Sequence, residues 1–212
     1  MFLLNIAGML FYNSYKTITG PVEGLFRDRG SKFIAYAFPA RSEEEAKSHL
    51  VSVKEKHPKA RHHCWALRLS PDTSVFRLND DGEPAGTAGR PILNTILSLG
   101  LTNVVVVVVR YFGGTLLGVP GLINAYKTAT IEALNTAEVV EKTVNDVYQL
   151  NFQYPSMNDV MKIVKDEHLA LLKQGYASDC EMDVEIPKDQ LNKVLARLDK
   201  VENLKYIYLY TT

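Results

Sequence analysis

The sequence predicts an α+β protein of two domains, and three observations predict it. Six consecutive valines, Val104 to Val109, form a run with no polar alternation. β-Branched side chains are stiff at χ1 and suit a pleated surface, so the run reads as a strand buried on both faces. Composition changes near Val139-Val140-Glu141-Lys142, where a linker is expected. Beyond it, strand and helix signals follow in the order βαββαβ, that of a ferredoxin-like split βαβ unit. The expected boundaries are 1–140 and 144–212, with residues 1–12 a loosely ordered extension. The first domain should be a mixed sheet with helices on one side and the valine strand near its middle.

The elements follow in order. Tyr15 to Ile18 and Val22 to Arg27 read as strands parted by Gly20-Pro21. Asp28-Arg29-Gly30-Ser31 is a tight turn, since Gly tolerates positive φ and Asp can bond its own backbone. Phe33 to Phe38 returns as the hairpin partner. Ser42 with Glu45 makes a capping box, opening a helix that Pro58 stops. His63 to Leu69 and Val75 to Leu78 are strands around a turn at Pro71-Asp72. Thr87 is the expected N-cap of a helix that ends at Gly100. A second helix runs from near Pro120 to Ala137. In the second domain, strands are expected at 147–154, 170–176, 179–186 and 204–210. One helix lies over 158–167, and Pro187 starts another. Met182, Val184 and Ile186 alternate inward.

Composition narrows the function classes. The chain has 24 basic and 24 acidic residues, so no global field draws it to nucleic acid or a membrane. Cys64 and Cys180 stand far apart and suggest no disulfide framework, so a reducing cytoplasm is the expected compartment. The opening MFLLNIAGMLFY lacks a basic n-region and is shorter than the roughly 20 residues of a spanning helix. No membrane partner is expected.

Candidate chemistry gathers on both sides of the valine strand. Gly113 to Gly118 has the spacing of a phosphate loop, but Val119 and Pro120 stand where Lys and Ser/Thr should follow. Asp80, Asp81 and Glu83 offer carboxylates that Mg²⁺ would accept, although Asn-Asp-Asp-Gly is also ordinary turn chemistry. His62, His63 and Cys64 resemble zinc ligands, yet neighbours on a strand point to opposite faces and no second ligand cluster follows. There is no G-x-S-x-G elbow and no G-x-G-x-x-G fingerprint. An anion-binding surface remains. Backbone N–H groups after Thr87 and Gly118 would be unpaired at helix starts. Arg90 and Arg110 lie near those loops, and Arg27, Arg29, Lys32 and Arg61 can add charge. Tyr111 and Phe112 offer a stacking face beside Gly113 and Gly114. Arg110 ends a buried strand, where it either pairs with Asp80, Asp81 or Glu83 or stays free to hold an anion. The free role is the expectation. No metal or cofactor is expected.

DDGEPAGTAGRPIL, VVVVVVRYFGG and the following helix with Ala125-Tyr126 resemble the IMPACT (YigZ-like) family, as do SKFIAYAFPA and HHCWALRL. The resemblance extends from about residue 15 to the end. It implies a first domain like domain two of ribosomal small-subunit protein five, and a second like the ferredoxin-like end domains of elongation factor G. It also implies a link to translation, since eukaryotic members of the family act in translational control. Where many relatives read K-L-G-x-G-G-L-x-R-A-Y, this chain has a leucine for the lysine, Pro120 for a glycine and Asn124 for the arginine. Two cations are therefore missing from that loop.

The expected function is a cytosolic, non-enzymatic binding protein. It would meet RNA or a ribosome-associated partner through the Asp80–Arg90 and Arg110–Gly114 loops. The alternatives are a Mg²⁺-dependent hydrolase using Asp80, Asp81 and Glu83, and a regulator acting through protein contacts alone.

Overall fold

A computed structural model describes residues 13–70, 75–176 and 179–212; the expected extension at 1–12 and the turn at Pro71-Asp72 lie outside them. The chain divides into two compact units, one spanning Tyr15–Lys142 and the other including Thr143–Thr212. The first contains β1 (Ser14–Ile18), β2 (Val22–Asp28), β3 (Ser31–Pro39), α1 (Glu43–Lys56), β4 (His62–Leu69) and β5 (Val75–Asn79). It continues with α2 (Gly89–Ser98), β6 (Val104–Tyr111), α3 (Gly118–Leu134) and β7 (Val139–Thr143).

Five strands form one sheet in the order β2-β3-β6-β4-β5, with the valine strand β6 in the middle. The expected mixed sheet is in fact antiparallel at every pairing, because β6 inserts between two hairpins and runs against both neighbours. Helices cover both faces rather than one. Val104, Val106 and Val108 join a core with Ile92, Ile96, Leu122 and Tyr126 from α2 and α3. Val105, Val107 and Val109 join a second core with Ala46 and Val53 from α1. Two covered faces explain why the run carries no polar position. The expected linker at 139–142 is strand β7, paired with β1 in a separate two-stranded sheet.

The second unit contains β8 (Asn145–Phe152), a 3-10 turn at Tyr154–Ser156, α4 (Met157–Asp166) and β9 (Ala170–Tyr176). β10 (Cys180–Pro187), α5 (Leu191–Leu198) and β11 (Lys205–Thr211) complete it. The strand order β11-β8-β10-β9, antiparallel throughout, is ferredoxin-like. Met182, Val184 and Ile186 are fully buried against the helices, as their alternation requires. Pro187 ends β10 rather than starting α5, whose N-cap is Gln190.

One end of the five-stranded sheet positions the candidate site. Cross-strand register places Phe33 and His62 on either side of Arg110, and Lys32 opposite Tyr111. Arg110 therefore belongs to the α2/α3 face and Tyr111 to the α1 face.

Candidate functional site

The loop between β5 and α2 is organised by Asp80. Its Oδ1 accepts from the Ala88 and Gly89 N–H groups at 3.0 and 2.8 Å, and its Oδ2 from the Gly86 N–H at 2.8 Å. A carboxylate at a helix start satisfies orphan donors and complements the dipole. Asp80 is thus the anion that the N–H groups after Thr87 were expected to find in a ligand. Thr87 is not the cap: its hydroxyl donates to the Pro84 carbonyl, and the N-cap position is Ala88, which makes no side-chain cap bond.

Asp81 and Glu83 are committed elsewhere. Asp81 Oδ2 accepts from the His63 backbone N–H at 2.7 Å, while its carbonyl lies 2.9 Å from His62 Nδ1. Glu83 is buried, and its Oε1 accepts from Arg110 Nη1 at 2.6 Å and from the Tyr126 hydroxyl at 2.8 Å. The Cys64 thiol donates in turn to Tyr126 Oη at 3.2 Å. Burial pushes the Tyr126 hydroxyl and the Cys64 thiol well above their usual pKa ranges, so both stay protonated donors. The three carboxylates thus serve three different partner sets, and no group of three metal-ligating side chains occurs among the described residues.

Arg110 is not free, contrary to expectation. Its side chain is 7% exposed and its partner Glu83 3%, a buried ion pair. Such pairing offsets the cost of placing a charge at the end of a covered strand. The guanidinium lies 5.5 Å from the Phe33 ring and 5.6 Å from the Phe112 ring, while Nε has no hydrogen-bond partner.

On the α1 face, His57 sits between two tyrosines. Its Nε2 is 2.8 Å from Tyr36 Oη and its Nδ1 2.9 Å from Tyr111 Oη. Burial, then the neighbouring Lys56, lowers the His57 pKa; burial likewise lowers that of His63. One neutral imidazole can accept from one hydroxyl and donate to the other, which ties the end of β6 to the end of α1.

Above these networks lies an open groove of about 530 Å³ lined by Lys59, Arg61, His62, Arg110, Tyr111, Phe112 and Leu116. Lys59 and Arg61 are exposed at its rim; Phe112 is 56% and Leu116 81% exposed. Of the residues expected at a site, Arg61, Arg110 and Tyr111 line this groove. Arg29 and Gly30 form the neighbouring β2–β3 turn, and Lys32 pairs with Tyr111. Gly113 is needed there for close approach, because a Cβ would fall 1.9 Å from the Gly30 carbonyl carbon. Gly114 adopts φ 89°, left-handed backbone that glycine takes readily. Arg90 lies apart, lining a separate depression with Asn94, Ile123 and Lys127. The residues the sequence did not single out as site residues are Lys59, Leu116, His57 and Tyr126. Tyr126 stands in the sequence only within the family motif, as the one aromatic of α3.

Residues 29–134 match the model of the Impact N-terminal domain. The chain is 36% identical over 154 residues to an IMPACT family member of Haemophilus influenzae, covering 72% of this chain and 75% of that one. It is 32% identical over 180 residues to the IMPACT family member YigZ of Escherichia coli, covering 84% and 88%. A crystal structure of a protein described only as hypothetical superposes with TM-score 0.75 at 29% identity, covering 94% of this chain and 99% of that one.

Proposed function

The chain belongs to the IMPACT family, and from that premise we propose that it is a translation-associated protein that binds single-stranded RNA through the groove at the end of β6. The observation that carries this reading is the pairing of exposed Phe112 with the rim cations Lys59 and Arg61. Every base has a π-face, so an exposed aromatic between cations holds a strand without reading its sequence. Cations at the rim hold the phosphates that such a strand presents on either side of a stacked base. The link to translation rests on what the family resemblance implies for eukaryotic members.

The buried networks give the groove a fixed floor. Glu83, itself held by the Tyr126 hydroxyl, holds Arg110 from below, and His57 holds Tyr111 from the side. Preorganised side chains lose less entropy on binding, so Phe112 follows a rigid strand end rather than a mobile loop. No observation favours hydrolysis: Asp80 is committed to backbone amides, Asp81 to the His63 N–H, and Glu83 to two donors, Arg110 and Tyr126. The reading is tested by titrating a labelled uridine decamer into wild-type protein and into Phe112→Ala. Loss of one stacked base should weaken binding by about 1–3 kcal/mol. Equal affinity of the two proteins would remove Phe112, and with it the stacking account, from the interface.

A further inference from the structure

The groove's cations lie at two depths, and this difference points to the part of an RNA that enters it. Lys59 and Arg61 are exposed at the rim. Arg110 lies at the floor, 7% exposed, between the Phe33 and Phe112 rings. A phosphodiester within a continuous strand is flanked by a nucleoside on each side, and both must leave the groove. Such a group meets the rim cations readily and a recessed guanidinium poorly. A terminal phosphate has one substituent and can descend.

Charge counting agrees with this. Glu83 neutralises Arg110 through Nη1, so the groove's uncompensated fixed charge comes from Lys59 and Arg61, about +2. A phosphomonoester carries about −1.5 to −2 at pH 7, whereas an internal phosphodiester carries a single negative charge. Glu83 takes only one edge of the Arg110 fork, leaving Nε with no acceptor, an unmet donor in a protein whose other networks at this end are satisfied. Nε is shielded from solvent, so a phosphate oxygen completes it where the exposed Phe112 ring beside it swings aside, as arginine forks do with planar or tetrahedral oxyanions.

Building on the RNA-binding reading, we propose that the groove is an end-binding subsite: a terminal phosphomonoester descends onto Arg110 between Arg61 and Lys59, and the terminal base stacks on Phe112. No bond is made or broken.

The test uses the full chain and uridine decamers alike except at their ends: 5′-hydroxyl, 5′-phosphate and 3′-phosphate. Uridine 5′-monophosphate serves as a competitor. A phosphorylated end should bind at least about tenfold more tightly than the hydroxyl form, the scale of one charge-assisted contact. Whether the 5′ or the 3′ form gains, or the mononucleotide alone competes, tells which source of the phosphomonoester the groove takes. Arg61→Ala, at an exposed position, should reduce the preference severalfold while thermal unfolding is unchanged. Arg110→Lys, which keeps a cation for Glu83 but loses the fork, should abolish the preference. Equal affinities of the three decamers for wild-type protein, with no competition by the mononucleotide, would overturn the end-binding subsite and leave RNA binding standing. Failure of all three decamers to bind while the mononucleotide binds would instead remove the RNA reading and keep the phosphomonoester site. No binding by any probe would remove both.

Discussion

Glu83 accepts hydrogen bonds from Arg110 and from Tyr126 within a few ångströms of the groove floor. Glu83→Ala would leave the guanidinium buried and unpaired, and a loss of about 3–5 kcal/mol in urea unfolding is expected. Tyr126→Phe removes one charge-assisted hydrogen bond but leaves the ion pair, and should cost about 1.5–3 kcal/mol, with RNA affinity retained. A variant Tyr126→Phe as unstable as Glu83→Ala would mean that the hydroxyl, not the ion pair, holds the floor. His57 gives the site a pH dependence. Its folded pKa is depressed by burial, so the unfolded chain takes up the proton first as pH falls. Stability from the neutral ring is therefore fully present above the usual imidazole value of about 6.5 and declines as pH drops toward the lower folded value. His63, depressed by burial too, acts in the same direction. Melting temperatures measured between pH 7.5 and 5.5 should fall for the wild type and fall less for His57→Gln. Parallel curves for the two proteins would show that His57 does not contribute.

At the scale of elements, the loop before α2 depends on one carboxylate. Asp80→Ala would orphan three backbone N–H groups, two of them in or next to the first turn of α2. A loss of about 1–2 kcal/mol is expected, together with faster hydrogen exchange at Ala88 and Gly89. Unchanged exchange there would contradict the capping role. Gly113→Ala should be worse, since its Cβ would meet Gly30 backbone rather than a side chain able to yield. Strand β6 was legible because the sequence run is long and unbroken. The true cap of α2 was not, because Asp80 stands eight residues before Ala88 and Thr87 is the nearer hydroxyl. Strand β7 was hidden for a related reason: it is short, half polar, and paired with a strand at the other end of the unit. Only tertiary pairing turns Val139–Thr143 into a strand. The choice between antiparallel and mixed sheets, and the second helical face, likewise depend on which hairpins β6 separates.

For the whole molecule, the second unit carries its own core, with Leu150, Val160, Met182, Ile186 and Val194 fully buried. Residues 143–212 expressed alone should unfold cooperatively in urea; a featureless, gradual change would mean that this unit is not an independent domain. The candidate site was partly readable in the sequence. The sequence points to Arg61, Arg110 and Tyr111, but chain order cannot place Lys59 and Leu116 against them, nor show that Arg90 faces elsewhere. No helix among the described residues is long and apolar enough to cross a membrane. The most direct test of the account is the salt dependence of uridine-decamer binding for wild type, Lys59→Ala/Arg61→Ala and Arg90→Ala. With about 0.7 counterions released per phosphate contact on a single strand, the double variant should flatten the slope of log affinity against log salt by about 1.4, while Arg90→Ala leaves it unchanged. A slope that the groove variant does not alter, or that Arg90→Ala alters as much, would contradict it.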